Sequence, residues 1–471
     1  MYPTLQQDLQ DIENILEQVK QLGIDFLNRI DSVPTSTQNR INTTGILNDS
    51  GLGAISAMEE FNHHLAPLMV AQGGPRYWGF VTGGTTPASV VGDWLTTIYD
   101  PNAQATNAQG GVSALIEVET INLLLQLLSL PKSFLGGFVT GATMSNFTSL
   151  AVARQWVGKQ LGVDYAKNGI TTPVPILSAT PHSSSIKCLA MLGIGSQNFI
   201  KINTIEGNRE AIDLNDFEQN ILKLKGAPFV LISSAGTVNT ADFDDFVAIA
   251  KLKEKHNFWW HIDAAFGGFA ACSPKYKHLV SGWENADSIT IDCHKWLNVP
   301  YESAFYLIKE EHKNCQVECF QNSNAPYLGD PLENFNYMNF LPENSRRLKA
   351  LPVWFSLKAY GKDGFRDIVE NNIERAFQFG TELVQTGNFE LLAPTRLNNV
   401  CFTLKGDHNQ DKVASFLTKL NDTGKVFMTL TVYEGKKGIR ASFVNWRTST
   451  ADVKLAVDVM SKIILEFITV Q

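Results

Sequence analysis

Two ionisable side chains follow apolar runs at positions where strands would end. Asp263 comes directly after the apolar run 258–262, and Lys295 comes shortly after the apolar run 288–291. An aspartate and a lysine at neighbouring strand ends can hold pyridoxal phosphate (PLP) at two points. The lysine would form a Schiff base with the aldehyde, and the aspartate would keep the ring nitrogen protonated, which makes the ring an electron sink.

Both residues also have ordinary explanations. A lysine after a strand usually lies at the surface, and an aspartate there is often a helix cap or turn residue. The residues next to Lys295 and Asp263 in the sequence favour a role in cofactor chemistry. Lys295 is followed by Trp296 and Leu297, and burial lowers a lysine pKa toward the neutral amine that a Schiff base requires. Two alanines follow Asp263 and leave room for a flat ring.

A candidate phosphate site lies in the segment 136–146. A short strand ends there, Gly141 turns the chain, and a helix begins whose free N–H groups and dipole favour an anion. An ordinary strand–turn–helix that binds no phosphate would give the same sequence pattern. The string matches neither the P-loop nor the G-x-G-x-x-G fingerprint, so ATP and NAD are not implied. His182 sits at another strand end, where it could be structural or could stack on an aromatic cofactor.

The pattern of elements predicts how these residues are positioned. From about residue 110, strands alternate with helices, which predicts an α/β domain with a mainly parallel sheet covered on both faces. The strand 304–308 follows a short turn and could be antiparallel. The later pattern predicts a smaller α+β domain. We therefore divide the chain into three parts. Residues 1–100 are an N-terminal helical arm and interface segment, residues 101–345 are a large domain, and residues 346–471 are a small domain.

Composition narrows the class of protein. The chain has 471 residues, of which 44% are hydrophobic and 18% charged, and a net charge of −8 without a Lys/Arg-rich run. These values argue against nucleic acid or an anionic membrane as the main partner. The six scattered cysteines form no C-x-x-C pair, so neither a metal site nor a disulfide framework is predicted, and a cytoplasmic location is expected. The N-terminus lacks a signal peptide pattern, and no apolar run is long enough to span a bilayer.

Taken together, these segments resemble the group II PLP-dependent decarboxylases, which include the aromatic amino acid, glutamate and histidine decarboxylases. The resemblance runs from about residue 50 onward and is carried by His-x-Asp-Ala-Ala at 261–265, by His-Lys-Trp at 294–296 and by the string 345–355. It implies PLP fold type I with a seven-stranded sheet. It also implies a homodimer with the active site at the subunit interface.

The resemblance further implies roles for residues around the cofactor. Many relatives have a second threonine where this chain has Val238, so no role is assigned to that hydroxyl. The implied contacts are Lys295 in the Schiff base, Asp263 at the pyridinium nitrogen, His182 and Ala265 on the two ring faces, backbone N–H groups of Thr143 and Met144 on the phosphate, His294 on the phosphate or substrate, and Thr237 and Asp244 beside the cofactor.

Substrate and reaction are inferred from three further matches. Tyr327 matches the mobile-loop tyrosine that protonates the carbanion, where aldehyde-forming relatives often have phenylalanine. Arg440 matches an arginine that approaches a substrate carboxylate. Trp78, Phe80 and Thr82 match the segment that lines the substrate pocket, and the aromatic rings favour an aromatic or otherwise apolar side chain.

The expected reaction is decarboxylation of an L-amino acid to the amine and CO2. Tyr327 or His294 would protonate Cα. Three alternatives stay open: a decarboxylase of an acidic amino acid, another PLP carbon–carbon lyase or aldehyde synthase, and a non-enzymatic relative that binds PLP or a metabolite.

Overall fold

The structure is a computed structural model, and it describes residues 1–39, 45–104, 111–321 and 335–469. The helices are α1 (Pro3–Gln10), α2 (Ile12–Asn28), α3 (Ala54–His64), α4 (Pro87–Tyr99), α5 (Ser113–Leu127), α6 (Ala142–Gln160), α7 (Tyr165–Asn168), α8 (Ser183–Met191), α9 (Leu214–Lys223), α10 (Phe246–Lys255), α11 (Cys293–Trp296), α12 (Lys313–Phe320), α13 (Ala350–Gln385), α14 (Val413–Asp422) and α15 (Thr450–Thr469). The strands are β1 (Phe134–Val139), β2 (Ile176–Ser178), β3 (Phe199–Lys201), β4 (Phe229–Ser234), β5 (Phe258–Asp263), β6 (Ser288–Ile291), β7 (Ala304–Lys309), β8 (Phe389–Leu391), β9 (Asn399–Leu404), β10 (Thr429–Tyr433) and β11 (Lys436–Ser442).

The large sheet has seven strands in the order β1-β7-β6-β5-β4-β2-β3. Neighbours from β3 through β6 pair in parallel, whereas β7 is antiparallel to both β6 and β1. The connection from β6 to β7 contains only the single turn α11, and a parallel pair would need a longer crossover. The predicted mainly parallel, seven-stranded sheet with an antiparallel strand at 304–308 is confirmed.

This topology brings the carboxyl ends of several strands to one edge. Ser234 at the end of β4 pairs with Asp263 at the end of β5, and Asp263 pairs with Thr290 of β6. Because β1 is antiparallel to β7, it runs in the same direction as β6, and α6 begins at the same edge. Asp263, Lys295 and the start of α6 are therefore positioned by neighbouring strands.

The small sheet has four antiparallel strands in the order β10-β11-β9-β8. The two helical stretches predicted at 346–360 and 365–385 form one element, α13, interrupted at Gly361, whose φ of 57° is not helical. Up to Ile373 this helix packs in the core around the large sheet, and from Ala376 it packs in the core of the small sheet. The domain boundary at residue 345 stays a prediction, since α13 contributes to both cores.

No helix in the described ranges is both long and apolar enough to cross a bilayer. All six cysteines are free thiols.

Candidate active site

A cavity of about 280 Å³ opens where β4, β5 and β6 end. Its walls include apolar groups from Val81, Val238 and Phe266. Seven of the residues predicted from the sequence line it: Phe80, His182, Thr237, Asp263, Ala265, Lys295 and Arg440. These side chains are up to 360 residues apart in sequence, so it is the fold that brings them together.

Asp263 presents a buried carboxylate to this cavity. Its Oδ2 accepts a hydrogen bond from Asn146 Nδ2 at 3.1 Å, and its Oδ1 accepts the N–H of Ala265 at 3.2 Å. Asn146 Oδ1 in turn bonds Nε2 of His261, whose pKa burial lowers to about 4, so this ring is neutral. Within the described ranges, no lysine, arginine or histidine forms an ion pair with Asp263. The carboxylate is held in place but left without a cationic partner.

Lys295 forms an ion pair with a residue of its own motif. Its Nζ lies 3.0 Å from Oδ2 of Asp292, and Oδ1 of Asp292 accepts the N–H of Ala142 at 2.8 Å. Burial alone would raise the pKa of Asp292, but Lys295 and His294 together hold that pKa below its ordinary value. Asp292 is therefore a carboxylate that fixes Lys295 against the start of α6.

His294 is not among the described residues that line the cavity. Its Nδ1 accepts the N–H of Ser303 at 3.3 Å, so the proton resides on Nε2, which lies 3.4 Å from Asp292 Oδ1. Its ring stacks on Tyr301 with the centroids 4.2 Å apart, and Tyr301 bonds the side chain of Thr82. Thr82 is buried and is not among the described residues that line the cavity, so the structure does not bring it to its predicted substrate contact.

His182 caps α8 and exposes its ring to the cavity. Its Nδ1 accepts the N–H of Ser184 at 3.2 Å, and burial lowers its pKa, which favours a neutral ring. Thr143 and Met144 lie in the first turn of α6, where N–H groups have no partner four residues back within the helix. These groups are the ones predicted to meet the phosphate.

The side chains of Thr237 and Asp244 form hydrogen bonds to neighbouring protein groups, including backbone N–H groups. Thr237 donates its hydroxyl to Glu210 and accepts the N–H of Asp242 at 3.0 Å, so its only proton is already used. Asp244 accepts the N–H groups of Ile212 and Ser234, each at 2.7 Å, and it does not line the cavity. Burial raises the pKa of Asp244 to about 7. The predicted cofactor contact of Asp244 is corrected to a role in fixing the end of β4.

Trp78 was predicted to contact the substrate, and the structure places it elsewhere. The indole is 1% exposed, donates to the carbonyl of Pro75 at 2.8 Å and packs on Phe379 and Phe443 in the small-domain core. Phe80 does line the cavity, and its ring is 63% exposed at the rim. Tyr327 lies outside the described residues.

Arg440 belongs to β11 of the small domain, and its side chain lines the cavity. Its Nη1 donates to the carbonyl of Val238 at 3.1 Å, while its buried Nε has no hydrogen-bond partner among the residues that the structure describes. Within the described ranges it forms no ion pair with a carboxylate. A partly buried guanidinium with unused donors is suited to bind an anionic group that enters the cavity.

These observations fit PLP. The unpaired carboxylate of Asp263 suits a protonated pyridine nitrogen, and the neutral ring of His182 suits stacking on a flat ring. Lys295 supplies the amine, and the first turn of α6 supplies N–H donors for a phosphate. The sequence analysis missed two contributors, Asn146 and Asp292. Asn146 is the last residue of the segment 136–146, and Asp292 comes three residues before Lys295, so their positions in the sequence were the available signals.

Comparisons with known proteins agree with this chemistry. The family model described as the pyridoxal-dependent decarboxylase conserved domain matches residues 48–405. The aromatic-L-amino-acid decarboxylase of Bacillus atrophaeus is 28% identical over 96% of this chain and 95% of its own. The phenylacetaldehyde synthase of Arabidopsis thaliana is 26% identical over 72% of each chain. The structure of Oryza sativa TDC with PLP and tryptamine has a TM-score of 0.89 at 19% identity, covering 97% of this chain and 98% of the other.

The likeness in structure confirms the predicted PLP fold type I, with its small C-terminal domain. The family match extends over more than half of the chain and confirms the resemblance seen in the sequence. The chain therefore belongs to the pyridoxal-dependent decarboxylase family and is a carboxy-lyase whose cofactor is pyridoxal phosphate.

Proposed function

We propose that this protein decarboxylates an aromatic L-amino acid to the corresponding amine. The observation that carries the substrate assignment is the lining of the cavity. Among the described residues that line it, one guanidinium, that of Arg440, has no carboxylate partner, and it lines the cavity together with apolar groups from Phe80, Val81 and Phe266. One cation can serve the α-carboxylate, and the apolar walls suit a flat ring. An acidic substrate would need a second cation for its side chain, and Lys295 is committed to the cofactor.

The cofactor would be held by the residues described above. Lys295 would carry it, Asp263 would face the ring nitrogen, and His182 and Ala265 would lie on its two faces. The N–H groups of Thr143 and Met144 would receive the phosphate. When bound, PLP supplies a protonated conjugated ring that accepts the electron pair of the breaking bond between Cα and the carboxylate.

The protein's own part is orientation and proton handling. Arg440 would bind and orient the carboxylate, and the apolar walls would exclude water. Asp292 would fix the side chain of Lys295 against the start of α6. The loop residue Tyr327 would donate the proton to Cα, because Nε2 of His294 is directed at Asp292 and His294 is not among the described residues that line the cavity.

The test is an assay of the purified protein with a panel of L-amino acids. We expect CO2 and the amine in equal amounts from phenylalanine, tyrosine or tryptophan, and little turnover of glutamate or aspartate. Ammonia and hydrogen peroxide should stay at the level of an enzyme-free control. Equimolar ammonia and aldehyde would instead assign the aldehyde synthase reaction of the Arabidopsis thaliana relative. Preferred turnover of glutamate would contradict the substrate assignment.

We also propose a homodimer. Helices α1 and α2 bury none of their side chains, and Leu5, Leu9 and Leu16 are at least half exposed. Gly23 of α2 lies beside Trp94 of α4, which is itself 44% exposed. Apolar faces of this kind are typical of interfaces, and a second copy of the chain is the occupant that the resemblance implies.

Sedimentation velocity of the holoenzyme tests this interface. We expect a dimer of about twice the 52.1 kDa chain mass. The double substitution Leu9→Lys and Leu16→Lys should shift the protein to the monomer, because two charges would be buried against an apolar partner. Leu222→Lys on α9, also exposed, is the matched control and should leave the dimer intact. A monomeric wild-type protein would contradict the proposal.

A further inference from the structure

Glu210 is a buried carboxylate one layer behind the cavity. It is 8% exposed and lies in the connection between β3 and α9. Its Oε2 accepts the hydroxyls of Thr237 and Thr240 and the N–H of Thr240, the last at 3.1 Å. Its Oε1 accepts Nδ2 of Asn239 at 3.4 Å. Four donors of the turn 237–240 therefore converge on one side chain.

The same turn contacts the small domain. The carbonyl of Val238 accepts Nη1 of Arg440 at 3.1 Å and Nδ2 of Asn399 at 2.9 Å, from the adjacent strands β11 and β9. Oδ1 of Asn239 accepts the hydroxyl of Thr431 in β10 at 2.6 Å. The conformation of this turn thus decides where the carbonyl that orients Arg440 is placed.

Glu210 also acts on Arg440 through its charge. Burial lowers the pKa of Arg440, and the negative charge of Glu210 opposes that effect. Cys401 pairs with Arg440 across β9 and β11, but burial raises the pKa of its thiol to about 12, so the thiol carries no charge near pH 7. Glu210 stabilises the charge of Arg440 without forming an ion pair with it, since both carboxylate oxygens accept hydrogen bonds from the turn 237–240. The charge of the arginine is stabilised while its donors remain available to a ligand.

We propose that Glu210 is a positioning residue for recognition of the substrate carboxylate, acting on Arg440 through the turn 237–240. The inference rests on the proposed function, in which Arg440 binds that carboxylate. It predicts that loss of Glu210 weakens the binding of carboxylate-bearing ligands selectively, since Phe80, Val81, Phe266 and Lys295, which also line the cavity, are not part of this network.

The experiment compares two ligands that cannot be decarboxylated, measured by calorimetry with the holoenzyme. 3-Phenylpropanoate has the ring and the carboxylate, and 2-phenylethylamine has the ring and the amine. For Glu210→Gln we expect affinity for 3-phenylpropanoate to fall roughly 10- to 100-fold, the effect of one weakened charged hydrogen bond. Affinity for 2-phenylethylamine should stay within about twofold of wild type, well below a tenfold step. The KM of the amino acid should rise with a much smaller change in kcat.

Two further variants keep the result interpretable. Glu206→Gln, an exposed residue of the same connection, is the matched control and should change neither affinity. Thr240→Val removes one donor to Glu210 with almost no change in volume, and it should produce a smaller loss in the same direction even if Glu210→Gln does not fold.

Equal losses for both ligands, or no loss for 3-phenylpropanoate in either variant, would overturn the inference. Failure of the proposed function would be distinguishable, because it would appear in the wild-type protein as absent turnover of aromatic amino acids.

Discussion

Replacing Lys295 with alanine should abolish decarboxylation. We expect turnover to fall by on the order of 10⁴-fold or more, as when a group that acts covalently is removed. Its Nζ is held by Asp292 at the cavity, and within the described ranges no other lysine lines that cavity. The variant should also lose covalent attachment of the cofactor. Sodium borohydride reduction followed by mass spectrometry of the peptide containing residue 295 measures this directly.

The control for Lys295 is Lys277→Ala, which replaces an exposed lysine that is not among the residues lining the cavity. It should keep wild-type turnover and the visible absorbance of the bound cofactor. Lys295→Ala protein with the wild-type circular dichroism spectrum, full turnover and a borohydride-fixed cofactor would contradict the assignment of the lysine.

The second large effect is expected on stability, at the buried ion pair of Arg346 and Glu117. Nη2 of Arg346 lies 2.6 Å from Oε1 of Glu117, and both side chains are fully buried. The guanidinium also donates to the carbonyls of Ala103 and Phe138 and lies over the ring of Tyr337. Arg346→Met would leave the Glu117 carboxylate buried and unpaired, which costs about 3–5 kcal/mol.

The neighbouring residue provides a matched comparison for Arg346. Arg347 pairs with Asp93 at the surface, and Arg347→Met should cost about 0–1 kcal/mol. The double variant Arg346→Met with Glu117→Leu should recover most of the loss, because no uncompensated charge remains. Urea unfolding of all four proteins at one protein concentration measures these differences. If Arg346→Met and Arg347→Met lowered the free energy of unfolding equally, the buried ion pair would contribute no more to stability than the surface pair.

Much of the fold could be predicted because each strand of the large sheet is a short apolar run between helical segments. The direction of β7 followed from the short connection after β6. The strand β8 was not predicted, since Phe389–Leu391 has only three residues and a central glutamate. Its pairing with β9 defines it as a strand, and that pairing is invisible in three residues of sequence.

The candidate site was predictable where chemistry and strand ends coincide. Asp263 and Lys295 follow apolar strands, and parallel strands bring their ends to one edge. Trp78 was misassigned because its packing partners, Phe379 and Phe443, lie some 300 residues away. Asp244 carries a carboxylate like Asp263, but only the three-dimensional contacts show that backbone N–H groups use both of its oxygens.

The span of the cavity lining, from Phe80 to Arg440, has a consequence for biosynthesis. Contacts between distant residues form slowly, because the entropy of closing long loops must be overcome first. During translation the strands of the large sheet leave the ribosome well before β11, so that sheet can begin to assemble early. The contact between Val238 and Arg440 must wait for nearly the whole chain. We therefore expect nascent chains to pass through a stage with a formed large sheet and an incomplete cavity.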